Sequence, residues 1–93
     1  MVKVKVEYLG IFRDLAGGVK EEVIEIPNKE SIKLKELIDH IAKRHGEEIR
    51  KYIVEGFGEE LNVLILVNGV HANYETIVRD GDTVSILPPA SGG

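Results

Sequence analysis

The spacing of apolar residues changes period at Leu34, and that change narrows the folds open to this chain. Val2, Val4, Val6 and Tyr8 alternate with Lys3, Lys5 and Glu7. A period of two belongs to a half-buried strand. Leu34, Leu37, Ile38, Ile41 and Ala42 instead fall at i, i+3, i+4, i+7 and i+8, one stripe of an amphipathic helix. Strand patterns return after it. One main helix and strands on either side of it in sequence make a two-layer α+β domain with a mixed sheet.

The punctuation fits that order. Gly17-Gly18 permits a left-handed turn after "GIFRDLA", and "KEEVIEI" reads as a second strand stopped by Pro27-Asn28. The two strands predict a hairpin with a long loop. Lys43, Arg44 and His45 occupy the helix's last turn, where cations suit its dipole, and Gly46 is a natural stop. No N-cap stands out, since Ser31 is too early unless the helix begins near Ile32. Ile49, Tyr52 and Ile53 suggest a further short turn of helix before a loop, "EGFGEE". Val63 to Val67 is an unbroken apolar run, and Asn68-Gly69 offers a type I′ hairpin turn. Asp80-Gly81 turns the chain into a last strand, Thr83 to Leu87, which the proline pair Pro88-Pro89 ends. The expected order is β-β-α-β-β-β, without repeats or linker.

A single helix covers one sheet face. In the last strand Val84 and Ile86 share a face, while Leu87 lies on the other with Thr83 and Ser85. The run 63–67 is apolar on both faces. A sheet with one wet face should alternate cleanly, so apolar residues on the second face call for a cover. A partner protein is one; the loop "EGFGEE" or the short helix is the other.

Composition removes several functions. Ninety-three residues make one small domain. There is no cysteine, so disulfides, thiolate metal sites and a cysteine nucleophile are excluded. The net charge of −4 argues against nucleic acid as a partner, and "KRH" at 43–45 and "RK" at 50–51 suit a solvated helix face. No apolar run is long enough to span a membrane, and the start lacks a secretory apolar region, so a cytoplasmic protein is expected. Eight Lys and twelve Glu lean toward a thermophilic composition. His40, His45 and His71 have no metal-ligand spacing and suit surface or half-buried positions. The adjacent glutamates of "FGEEL" point apart, as in a solvated loop. No phosphate-binding loop is present.

In order along the chain come "FRDLAGG" after the first strand, "VLILVNG" with its turn, "DGD" before the last strand, and "LPPASGG" at the end. This series resembles the ubiquitin-like sulfur carriers, most of all the small subunit of molybdopterin synthase. It is also similar to the small archaeal modifier proteins of that fold. The resemblance spans the whole chain. Pro88-Pro89 favours the molybdopterin branch over the thiamine-pathway carriers, which usually lack that pair. One departure is the extra length between Gly46 and Asn62, which bears on partner docking rather than on the tail.

The resemblance implies a β-grasp fold: a mixed sheet of four to five strands with one main helix on one face, spanning 1–87, followed by a functional tail, 88–93. It implies a carrier subunit with no active site of its own. The carboxylate of Gly93 would be adenylated by an E1-like activating enzyme using ATP and Mg, converted to a thiocarboxylate, and delivered to the large subunit of molybdopterin synthase. The chain itself would bind no metal or other cofactor. Gly92 and Gly93, lacking Cβ, would pass a narrow channel. Pro88 and Pro89 would hold the tail extended. Leu87 would dock the partner, and Arg13 and Asp14 would order their loop or sit at a docking edge. The alternative is a modifier joined to lysines through Gly93. A third reading is a binding module with an inert tail.

Overall fold

The computed structural model describes residues 1–56 and 63–89. Its elements are β1 (Val2–Tyr8), α1 (Ile11–Leu15), β2 (Glu21–Ile26), β3 (Ser31–Lys33), α2 (Leu34–His45), α3 (Glu47–Gly56), β4 (Leu64–Val67), β5 (Val70–His71), β6 (Ile77–Arg79) and β7 (Thr83–Leu87). Five strands form one mixed sheet in the order β2-β1-β7-β4-β5, and β3 and β6 form a separate two-stranded ladder. This is the ubiquitin-like β-grasp expected from the sequence.

The alternation in β1 does what a period of two requires. Val2, Val4, Val6 and Tyr8 are buried, and they meet Ile24, Ile26, Ile65, Val84 and Ile86 from the other strands. Leu34, Leu37, Ile38 and Ile41 of α2 close that core, and Ile49 and Ile53 of α3 join them. No polar or charged residue among those described is buried. β1 pairs antiparallel with β2 and parallel with β7, with Tyr8 opposite Ile86. The carboxyl ends of β1 and β7 therefore lie side by side.

The structure adds elements to the expected order. The loop after β1 contains α1, and the backbone N–H groups of Gly17 and Gly18 close it on the carbonyls of Asp14 and Arg13. The short turn near Ile49 is the ten-residue helix α3. Ser31 belongs to β3, and Lys33 is the residue that precedes α2. The first two N–H groups of that helix have partners in the chain before β6: Leu34 N donates to Thr76 O at 2.8 Å and Lys35 N to Tyr74 O at 3.1 Å, so two of the orphan donors of the helix start are satisfied by backbone carbonyls. Asn68 and Gly69 take φ values of 51° and 82°, as the type I′ turn demands. Glu55 and Gly56 of "EGFGEE" end α3, and the rest of that loop, with "FGEEL", lies outside the described residues. No described helix is long and apolar enough to cross a membrane.

Candidate functional site

The parallel pairing of β1 and β7 sets the base of the tail. Leu9 N donates to Ile86 O at 3.0 Å, so the chain leaving β1 runs beside the chain leaving β7. β1 then turns at Gly10, with φ 58°, into α1. Pro88 packs on that turn: a Cβ added to Gly10 would lie 2.9 Å from Pro88 Cγ and 3.0 Å from Pro88 Cδ. Neither Pro88 nor Pro89 can donate to the ladder, and β7 ends at Leu87. Pro88 is exposed and Pro89 half-buried. The structure thus sets Pro88 against the turn that starts α1, directly after Leu87 at the end of β7. Gly92 and Gly93 lie outside the described residues.

The open face of the sheet divides in two. On β1 and β2, Lys3 pairs with Glu25 at 3.9 Å and Lys5 with Glu21 at 3.2 Å. On β7 and β4, Leu87 stands opposite Leu64 and Ser85 opposite Leu66. Leu64, Leu66 and Leu87 are half-buried, whereas their inward neighbours Ile65, Val84 and Ile86 are buried. The faces of the last strand and the two-sided apolar run are as the sequence indicated. Leu9, 39% exposed, extends the apolar half toward Pro88. The short helix does not cover this face, because Ile49 and Ile53 of α3 point into the core on the other side.

One polar cluster lies apart from the tail base. Glu22 Oε2 accepts from Tyr8 Oη and from His45 Nε2, both at 2.6 Å, and Glu22 Oε1 accepts from Arg44 Nη1 at 3.0 Å. Burial alone would raise the carboxyl pKa, but the bonds from Tyr8, His45 and Arg44 together outweigh it and hold Glu22 below its usual range. Burial, and then the Glu22 charge, push the Tyr8 phenol up. The cluster ties the last turn of α2 to the β1–β2 hairpin. His45 thus has a defined structural partner, while His40 is half-buried and His71 exposed. No group of three or more His, Cys, Asp or Glu that could hold a metal occurs among the described residues. The backbone carbonyls of Arg13 and Asp14 accept the N–H groups of Gly18 and Gly17, and the Asp14 side chain is exposed.

Sequence reasoning missed Glu22, Leu9 and Gly10. A signal existed for Glu22, which shares the period-two line of Ile24 and Ile26. Leu9 and Gly10 gain their significance only from the contact with Pro88 and Ile86.

The ThiS family matches residues 6–93, from within β1 to the last residue of the sequence. The chain belongs to the ThiS family. A molybdopterin synthase sulfur carrier subunit of Anopheles gambiae is 33% identical over 95 residues, covering 99% of this chain and 93% of that protein. A Pyrococcus furiosus structure described as a molybdopterin converting factor, subunit 1, is 42% identical with a TM-score of 0.78, covering 97% of this chain and all of that one. A Helicobacter pylori complex of molybdopterin-converting factor subunits 1 and 2 contains a chain 26% identical with a TM-score of 0.60, covering 99% of this chain and 100% of that one. Family membership therefore includes the segment 88–93 as well as the described fold.

Proposed function

We propose that this protein is the sulfur carrier subunit of a molybdopterin synthase. The observation that carries the reading is the match of residues 6–93, tail included, to this family, together with the match of 99% of the chain to a molybdopterin synthase sulfur carrier subunit. The geometry is consistent with it, because β7 runs out of the core at Leu87 beside an apolar half-face.

A terminal carboxylate, with a pKa of about 3.5, is ionised at neutral pH and resists nucleophiles. In the proposed cycle the Gly93 carboxylate attacks the α-phosphate of ATP, held with Mg on an E1-like activating enzyme, and pyrophosphate leaves. Hydrosulfide or its equivalent then attacks the acyl carbon and AMP leaves, giving C(=O)–S⁻ on Gly93. The thiocarboxylate sulfur then attacks a carbon of a pterin precursor held by the large subunit and displaces its leaving group, and water attacks the acyl carbon, leaving the sulfur on the pterin and restoring the Gly93 carboxylate. Gly92 and Gly93 admit the tail to a closed site, and Pro88 and Pro89 keep it extended. Leu87, with Leu64, Leu66 and Leu9, seats the partner.

Deleting Gly92-Gly93, or adding one residue after Gly93, should abolish pyrophosphate release in the presence of the activating enzyme and ATP while leaving the melting temperature unchanged. The proposed cycle keeps both glycines outside the core, and surface changes usually alter stability by less than about 0.5 kcal/mol. Normal adenylation of the extended chain would overturn the proposal. Gly93 joined to lysines in cell lysate, with no sulfur-bearing form, would favour the modifier reading instead.

A further inference from the structure

Beside the tail base, away from the open sheet face, α1 and α3 enclose a cleft of about 300 Å³ lined by Ile11, Phe12, Tyr52, Glu55 and Gly56. Phe12 is buried, whereas Ile11 and Tyr52 are 43% and 41% exposed. Neither large apolar side chain is needed there by the core, which α3 fills with Ile49 and Ile53. The volume is at the low end for ligand pockets, about 300 Å³, and suits a side chain better than a cofactor. Glu55 is exposed, and no ion pair to it occurs among the described residues.

We propose that this cleft is a second recognition point for the synthase large subunit, receiving one apolar side chain of that protein flanked by a Lys or Arg that meets Glu55. The inference rests on the carrier reading above and deepens it. Its argument is one of reach. Four residues follow Pro89, and fully extended they span at most about 14 Å. A protein acting on Gly93 must therefore bring its surface close to Pro89. Pro88 lies on Gly10, the immediate neighbour of Ile11. The footprint of such a protein then falls on both flanks of the tail base. One flank is the apolar half-face of Leu64, Leu66 and Leu87. The other is the α1–α3 cleft, whose second wall is Tyr52, Glu55 and Gly56 of α3. Two contacts on opposite sides of the tail would fix its direction of entry, which a single patch cannot do.

The test is calorimetric titration of the whole chain with the large subunit from the same genome, identified by its similarity to subunit 2 of the Helicobacter pylori complex. Ile11→Asp and Tyr52→Asp should each weaken binding at least tenfold, about 1.4 kcal/mol, and Glu55→Lys should weaken it in a salt-dependent way. Melting temperatures should stay near that of the wild type, because all three positions are exposed. Val70→Asp, at a position 68% exposed on the β5 edge, should bind as the wild type does. If an aspartate variant melts early, Ile11→Ser and Tyr52→Ser carry the same test with smaller changes. Wild-type binding with unaffected cleft variants would overturn the cleft and leave the carrier reading standing. Failure of the wild-type chain itself to bind would overturn both.

Discussion

Gly10 joins the fold to the tail. Its φ of 58° is one that side chains rarely adopt, and the space where a Cβ would go is occupied by the Pro88 ring. Gly10→Ala should cost about 1–3 kcal/mol in backbone strain, and should also push Pro88 off the start of α1. Expected is a fall in melting temperature together with slower sulfur loading than in a core variant such as Ile86→Val brought to equal stability. Equal loading in the two would show that the Gly10–Pro88 contact does not position the tail. Glu22 raises a different question. Its folded pKa is depressed, so its contribution is complete above the unfolded value near 4.5 and is lost as pH falls through the lower folded value. Glu22→Gln should destabilise the protein at neutral pH by about 1.5–3 kcal/mol, the range for hydrogen bonds to charged groups. Thermal melts across pH should show the two proteins converging below pH 4.5. A gap that persisted in acid would mean that shape rather than charge holds the cluster.

Among the elements, β7 carries core residues on one side and the proposed docking residue Leu87 on the other. Val84 and Ile86 are fully buried on one side, and Leu87 is half-buried on the other, opposite Leu64. Leu87→Asp should weaken binding to the large subunit at least tenfold, about 1.4 kcal/mol, since a carboxylate left unpaired in an interface is costly. The partial burial of Leu87 implies a modest loss of thermal stability as well, so binding must be measured well below the melting transition. Undiminished affinity would remove Leu87 from the interface. Elements like β7 were legible in the sequence because their patterns are local: alternation in β1, the stripe of α2, the Asn68-Gly69 turn, the facing of Thr83–Leu87. β3 and β6 were not, because three-residue strands with one buried residue each, Ile32 and Val78, show no period. α3 looked shorter than it is because only Ile49, Ile53 and Gly56 face inward. Gly56 is needed there for a nonlocal reason: a Cβ would lie 2.7 Å from Val63 Cγ1. The tail was visible in the sequence as residue types in order, and its proposed chemistry rests on that order, whereas the surfaces around its base exist only once β1 and β7 are side by side.

At the scale of the whole molecule, the parallel β1–β7 pair sets Met1 apart from Leu87 and Pro88. Met1, 60% exposed, precedes β1 at the end of the strand remote from Tyr8 and Leu9, and a seven-residue strand is about 20 Å long. A folded domain fused before Met1 should leave sulfur loading unchanged, while the same domain fused after Gly93 should abolish it. Loading rates of the two fusions check this directly, and equal impairment would contradict the arrangement. The central claim is that Gly93 becomes a thiocarboxylate, and intact-mass analysis tests it most directly. After incubation with the cognate activating enzyme, ATP, Mg and a sulfur donor, the chain should gain the mass difference between one sulfur and one oxygen. That gain should map to Gly93 and be absent when Gly92-Gly93 is deleted. An unchanged mass, or sulfur found at any other residue, would contradict the claim.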